Sequence, residues 1–149
     1  MMNGLAKLGR IYCWGELQVA KLAPLLALAA RLYVAKAFFL SGLTKIRDWD
    51  TTLLLFTEEY HVPILAPAIA APLATAGELV LPVLLVLGLF GRFAAAGLFI
   101  LNAVAVLSYP GLEAIEIKDH VLWGVLLAYL VIHGCGAWSI DRFWQRRCG

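Results

Sequence analysis

The chain has 149 residues, 62% of them hydrophobic and 15% charged, with a formal net charge of +2. Its mean hydropathy of +0.85 and its apolar share exceed those of water-soluble domains, where about 45–50% apolar is usual, so a soluble globular class is excluded. The small positive excess is divided between loops and forms no single basic patch, which argues against a nucleic-acid partner.

Residues 3–22 place Leu5, Leu8, Ile11, Tyr12, Val19 and Leu22 among Lys7, Arg10, Glu16, Gln18 and Lys21. This spacing predicts an amphipathic helix lying on a membrane interface. A hydrocarbon core of ~30 Å takes roughly 20 helical residues. Four apolar runs fit that requirement, at about 23–43, 64–89, 92–109 and 119–137. Ala27-Leu28-Ala29 resembles a leader cleavage site, but the apolar stretch before it is short and hydrophobicity resumes after it, so the first run is expected to remain a span.

The loop charges alternate. The N-terminal segment, the Gly88–Arg92 turn and the tail hold Lys7, Arg10, Lys21, Arg92, Arg142, Arg146 and Arg147 against only Glu16 and Asp141. The opposite loops hold Lys45, Arg47 and Lys118 against Asp48, Asp50, Glu58, Glu59, Glu113, Glu116 and Asp119. The positive-inside rule therefore places both termini in the cytoplasm. The expected fold class is all-α: a polytopic membrane protein built as an antiparallel four-helix transmembrane bundle (23–137), with an N-terminal amphipathic segment (1–22) and a cytoplasmic tail (138–149).

In the outer loop, Asp48 and Asp50 precede Thr51-Thr-Leu-Leu-Leu-Phe56, which predicts a short capped helix over about 50–61 lying as a lid on the bundle. The second span holds Pro72 and Pro82 inside it and one carboxylate, Glu78, near its centre. A mid-bilayer charge costs a few kcal/mol and usually faces a partner. Pro82 also frees the carbonyl four residues back, that of Glu78 itself, which calls for a polar neighbour.

With span midpoints near Tyr33 and Ala76, Arg31 and Glu78 lie roughly 3 Å to the same side of the midplane. A buried Arg31–Glu78 pair is the expectation, with Asn102 of the third span beside it. Lys36, roughly 5 Å outward of the midplane, is left with three readings: it snorkels to the surface, joins Glu78, or meets a second subunit. His120 stands at the outer end of the last span, where it is open to a ligand or to proton exchange. Ala94, Ala95, Ala96 and Gly97 permit close helix approach in the third span. Tyr12, Trp14, Trp49, Tyr60, Tyr109, Trp138 and Trp144 fit interfacial belts. Cys13, Cys135 and Cys148 lie on the cytoplasmic side without a C-x-x-C pair and are expected as free thiols. His133 with Cys135 makes too few ligands for a metal site, so no metal is expected.

Arg31, the Ser41-Gly42-Leu-Thr-Lys45 close of the first span, Glu78, the Gly88-Leu-Phe-Gly-Arg92 turn and Gly134-Cys-Gly-Ala-Trp-Ser139-Ile-Asp141 together resemble the DoxX family of small four-helix bacterial membrane proteins, over about residues 22–144. Lys36 departs from that pattern, where a small or apolar residue is expected. The resemblance implies a bacterial plasma-membrane protein linked to quinone-dependent redox systems or to oxidative-stress functions. On that footing the chain is at most a membrane subunit of a quinone-dependent oxidoreductase. It has no intrinsic cofactor motif, quinone is the ligand to consider, and the bilayer, a second copy or a partner redox subunit are its partners. Arg31, Glu78, Asn102, Lys36 and His120 are the candidate ligand or proton-path residues. The alternatives are a non-catalytic anchor or assembly factor for a metal- or oxidative-stress system, and a small proton-coupled transporter, which the lack of internal repeats disfavours.

Overall fold

The computed structural model describes residues 2–148, and the side chains of residues 7–147. Leu5 and Cys148, both named above, lie outside the described side chains. Seven helices follow one another: α1 (Met2–Ala20), α2 (Ala23–Arg47), α3 (Trp49–Glu58), α4 (Pro67–Leu87), α5 (Gly91–Ser108), α6 (Ala114–His133) and α7 (Ile140–Cys148). No strand occurs among the described residues. Three stretches are long and apolar enough to cross a membrane: Lys7–Arg47, which takes in α2, and the α4 and α5 helices Pro67–Leu87 and Gly91–Ser108. The fourth run forms α6, which starts earlier than predicted and carries Glu116, Lys118 and Asp119 in its first two turns.

The helix ends follow local chemistry. Pro24 occupies the first turn of α2, where its missing N–H costs nothing. Asp48 caps α3: its carboxylate accepts from the Thr51 amide at 3.1 Å and the Thr51 hydroxyl at 2.7 Å. Those two bonds, the hydroxyl's foremost, hold the Asp48 carboxyl below the usual carboxylate range. Glu113 and Glu116 form a capping box at the start of α6. Gly88 closes α4 in the left-handed region (φ 66°), and a Cβ there would also stand 2.4 Å from Ser139 Cβ. Only glycine meets both demands.

The core lies where α2, α4, α5 and α6 meet. Val34, Leu85, Ala94, Ala95, Leu98, Leu127 and Leu130 are fully buried there, with Phe38 beside them. The small-residue start of α5 thus packs against neighbouring helices, as its composition predicts. α2 packs on α4, α4 on α5 and α5 on α6, while α3 lies across α4 and α2. The lid helix is tied down at three points. Phe56 is buried against Ala70 and Ala71, Thr52 Oγ1 donates to the Lys45 carbonyl at 3.1 Å, and beyond the helix the His61 amide donates to the Ser108 carbonyl at 2.8 Å. By contrast α1 leaves Leu8, Ile11, Tyr12, Trp14 and Leu17 exposed. Cys13 is an exposed free thiol and Cys135 a buried one.

Candidate functional site

The polar residues of the membrane-spanning region separate into two centres. The first surrounds Glu78. Lys45, one turn before Asp48, sends its ammonium to Glu78 Oε2 at 2.7 Å and Oε1 at 2.9 Å, and to Ser41 Oγ at 2.8 Å. Three donors thus meet three acceptors, and the pair is largely buried, with side-chain exposures of 17% and 13%. The approach depends on Gly42: a Cβ there would lie 2.9 Å from Leu79 Cγ and 3.1 Å from Glu78 Cβ. The missing side chain is what brings α2 close enough to α4 for Lys45 to reach the carboxylate.

This ion pair forms part of the wall of a cavity of about 460 Å³ between α2, α4, α5 and α6, roofed by the end of α3 and the loop after it. Most of the wall is apolar, including Phe38, Phe56, Leu73 and Leu101. Its polar groups come from five elements: Ser41 and Lys45, Glu78, Ser108 and Tyr109, Tyr60, and Glu116, His120 and Trp123. Phe56, Tyr60 and Tyr109 stack edge to face in a chain, at 4.9 Å and 5.3 Å between ring centres. Burial pushes the Tyr60 phenol above its ordinary pKa, with Tyr109 and nearby carboxylates adding to the shift, so it stays a neutral hydroxyl.

Two wall atoms stand out. Ser108 Oγ and Trp123 Nε1 are buried and have no hydrogen-bond partner. An unsatisfied buried polar group costs about 1–3 kcal/mol. Both residues belong to the wall of this cavity, with the two polar atoms themselves covered, and both groups are able to donate. His120 is fixed beside them. Asn102 Nδ2 donates to the His120 carbonyl at 2.9 Å, which turns Asn102 Oδ1 toward His120 Nδ1 at 2.8 Å. An amide oxygen only accepts, so Nδ1 carries the proton and, in the neutral ring, Nε2 is left as an acceptor. Trp123 packs against the imidazole edge to face at 5.0 Å.

The second centre surrounds Arg31, which is 1% exposed. Its Nε donates to the Leu85 carbonyl at 2.8 Å. Nη1 donates to the carbonyls of Cys135 at 3.0 Å and Trp138 at 2.8 Å, and Nη2 donates to that of Val86. A cation on the last carbonyls of α4 adds a donor to Leu85 O, which also accepts the Gly88 amide at 3.1 Å, and serves Val86 O beyond the helical ladder. Nearby, Asp141 accepts from the Phe90 amide at 2.9 Å and the Gly91 amide at 2.7 Å, and so caps α5. The Gly88 turn and the 134–141 segment are thereby latched to one another and to α2.

The expected Arg31–Glu78 pair is therefore not formed. Equating span midpoints gave the wrong register: α2 runs on to Arg47, α4 begins only at Pro67, and Arg31 falls opposite Leu85 and Val86. Those residues lie about 10 Å along α4 from Glu78. Asn102 is paired with His120 and is not beside Arg31. Lys36 is exposed on the outer side of α2 and makes no hydrogen bond or ion pair among the described residues, so it does not join Glu78. Of the five candidates, Glu78 and His120 share the cavity, and Asn102 supports His120. The sequence marks Lys45 only as the close of its span and does not distinguish Ser108; Ser41, Gly42 and Lys45, within about one turn of α2, are the signal that points to Glu78.

Among known protein families, the DoxX family model matches residues 26–110. The chain belongs to the DoxX family. No curated protein and no solved structure matches it. The DoxX match takes in Arg31, Lys45, Glu78 and Ser108 and stops before α6, so His120, Trp123 and the Asp141 cap lie beyond it. This DoxX-family chain is a membrane protein with several apolar helices.

Proposed function

We propose that this DoxX-family protein is a quinone-interacting membrane subunit and that the α2–α6 cavity is its quinone site. In this reading α2, α4, α5 and α6 form an antiparallel four-helix transmembrane bundle in a bacterial inner membrane, with both termini cytoplasmic. The observation that carries the proposal is the pair of orphaned donors, Ser108 Oγ and Trp123 Nε1, on residues that wall a mostly apolar cavity beside an ion pair. A few polar groups converging in an apolar concavity is the usual form of a small-molecule site.

A bound quinone supplies a carrier of two electrons and two protons, with two acceptor oxygens on a flat ring and an apolar tail. The residues fit such a group. Trp123 Nε1 and Ser108 Oγ donate to its oxygens, and the aromatic and aliphatic wall excludes water from its ring. His120 Nε2, which the tautomer fixed by Asn102 leaves free, would take up a proton and pass it to a quinone oxygen as the ring is reduced. Electrons come from a partner redox subunit. The test is extraction: the protein purified in mild detergent, treated with organic solvent and analysed by chromatography, yields near-stoichiometric quinone. No extractable quinone, and no saturable binding of an added short-chain quinone, would refute the proposal.

A second reading, a non-catalytic anchor or assembly factor, draws support from the Arg31 centre, whose donors all serve main-chain carbonyls. It explains the latch and leaves the orphaned donors unexplained.

A further inference from the structure

At the opposite end of the molecule from the Lys45–Glu78 pair, a second cleft of about 610 Å³ opens where α5 begins, α6 ends and α7 begins. Its wall includes Arg92, Phe93, His133, Arg142 and Gln145. Neither Arg92 nor Arg142 has an ion-pair partner; among the described residues the one ion pair is Lys45–Glu78. The cleft does hold a carboxylate, Asp141, but both its oxygens are taken up by the Phe90 and Gly91 amides. His133 Nδ1 donates to the Tyr129 carbonyl at 3.2 Å, because a carbonyl can only accept, and Nε2 is left free.

Two guanidinium groups in no ion pair, on two helices that border one cleft, exceed its single carboxylate, Asp141, by one charge and make a site for an anion. Guanidinium forks match phosphate oxygens in geometry and charge. The surroundings indicate what carries the phosphate. Phe90 and Phe93 line the same cleft and are 60% and 69% exposed, which suits an acyl chain and not a free ion. Basic clefts between membrane helices are known to take lipid headgroups. We infer that this cleft binds the phosphate of an acidic phospholipid, with Arg92 and Arg142 on its oxygens and Phe93 against its chain.

Native mass spectrometry of the full chain in detergent tests this, with phosphatidylglycerol, phosphatidylcholine and sodium phosphate as probes. The expected result is saturable phosphatidylglycerol binding about tenfold tighter than that of phosphatidylcholine, a difference of about 1.4 kcal/mol. Arg92→Gln and Arg142→Gln each abolish the preference, while Arg146→Gln and Arg147→Gln, outside the cleft wall, retain it. The arginines are exposed, so all four variants keep the wild-type melting temperature. Equal affinity for the two lipids in the wild-type protein would overturn the inference, as would equal losses in the Arg146 and Arg147 variants. Displacement of the lipid by millimolar phosphate alone would assign the cleft to a free anion and overturn the lipid.

Discussion

Arg31→Met lowers the stability of the protein by about 3–5 kcal/mol, the range for removing one partner of a buried charged network. Four carbonyls, those of Leu85, Val86, Cys135 and Trp138, lose the guanidinium at once. Two of them end α4: the Leu85 carbonyl keeps the Gly88 amide at 3.1 Å, while that of Val86, past the last helical donor, depends on the guanidinium. The loss also unlatches the 134–141 segment from α2, leaving it held by the Asp141 bonds to the Gly88–Gly91 turn. Arg31→Lys is intermediate: an ammonium is a compact charge with three donors and cannot fork between four acceptors. Unfolding in a denaturing detergent series, followed by tryptophan fluorescence, measures the difference. An unchanged midpoint for Arg31→Met would show that the carbonyls find other donors.

Glu78→Ala is the second severe variant, for a different reason. It leaves the Lys45 ammonium facing an apolar cavity with only Ser41 Oγ as acceptor. The expected cost is about 3 kcal/mol, the low end for a buried pair that loses one member, because both side chains keep some exposure. The double variant Lys45→Met/Glu78→Leu recovers most of that loss, since an apolar pair of similar volume needs no counter-charge. Thermal melts in micelles of the wild-type protein, the single and the double variants give the comparison. A double variant as unstable as the single would mean that α2 and α4 need the pair itself to stay in register.

The elements were legible in the sequence because their ends are written locally. Pro24, the Asp48 cap, Gly88 and Gly134 each mark a boundary through its own backbone chemistry. Which buried charges meet was not legible. Helix register depends on how far each helix extends past the hydrocarbon and on where the lid loop returns the chain. Equal midpoints were assumed for α2 and α4, and that moved Arg31 about two turns toward Glu78. The cavity escaped for a related reason. Its wall draws on five elements, and its roof residues Tyr60 and Tyr109 carry the composition of an interfacial belt. Only their half-buried, edge-to-face packing shows that they face inward. His120 and Asn102 are each visible as isolated polar residues, but a separation of 18 positions gives no sign of the clamp that joins them.

The proposed quinone site is tested most directly by a binding isotherm for a short-chain quinone, comparing the wild-type protein with Ser108→Ala/Trp123→Phe. These substitutions remove the two orphaned donors and break no existing hydrogen bond. Replacing unsatisfied buried polar groups with apolar ones is close to neutral for the fold, so the ligand-free variant should melt at or above the wild-type temperature. Its quinone affinity should fall by about tenfold or more, the loss of one to two hydrogen bonds. An affinity equal to that of the wild-type protein, in a variant that folds normally, would contradict the assignment of this cavity as the quinone site.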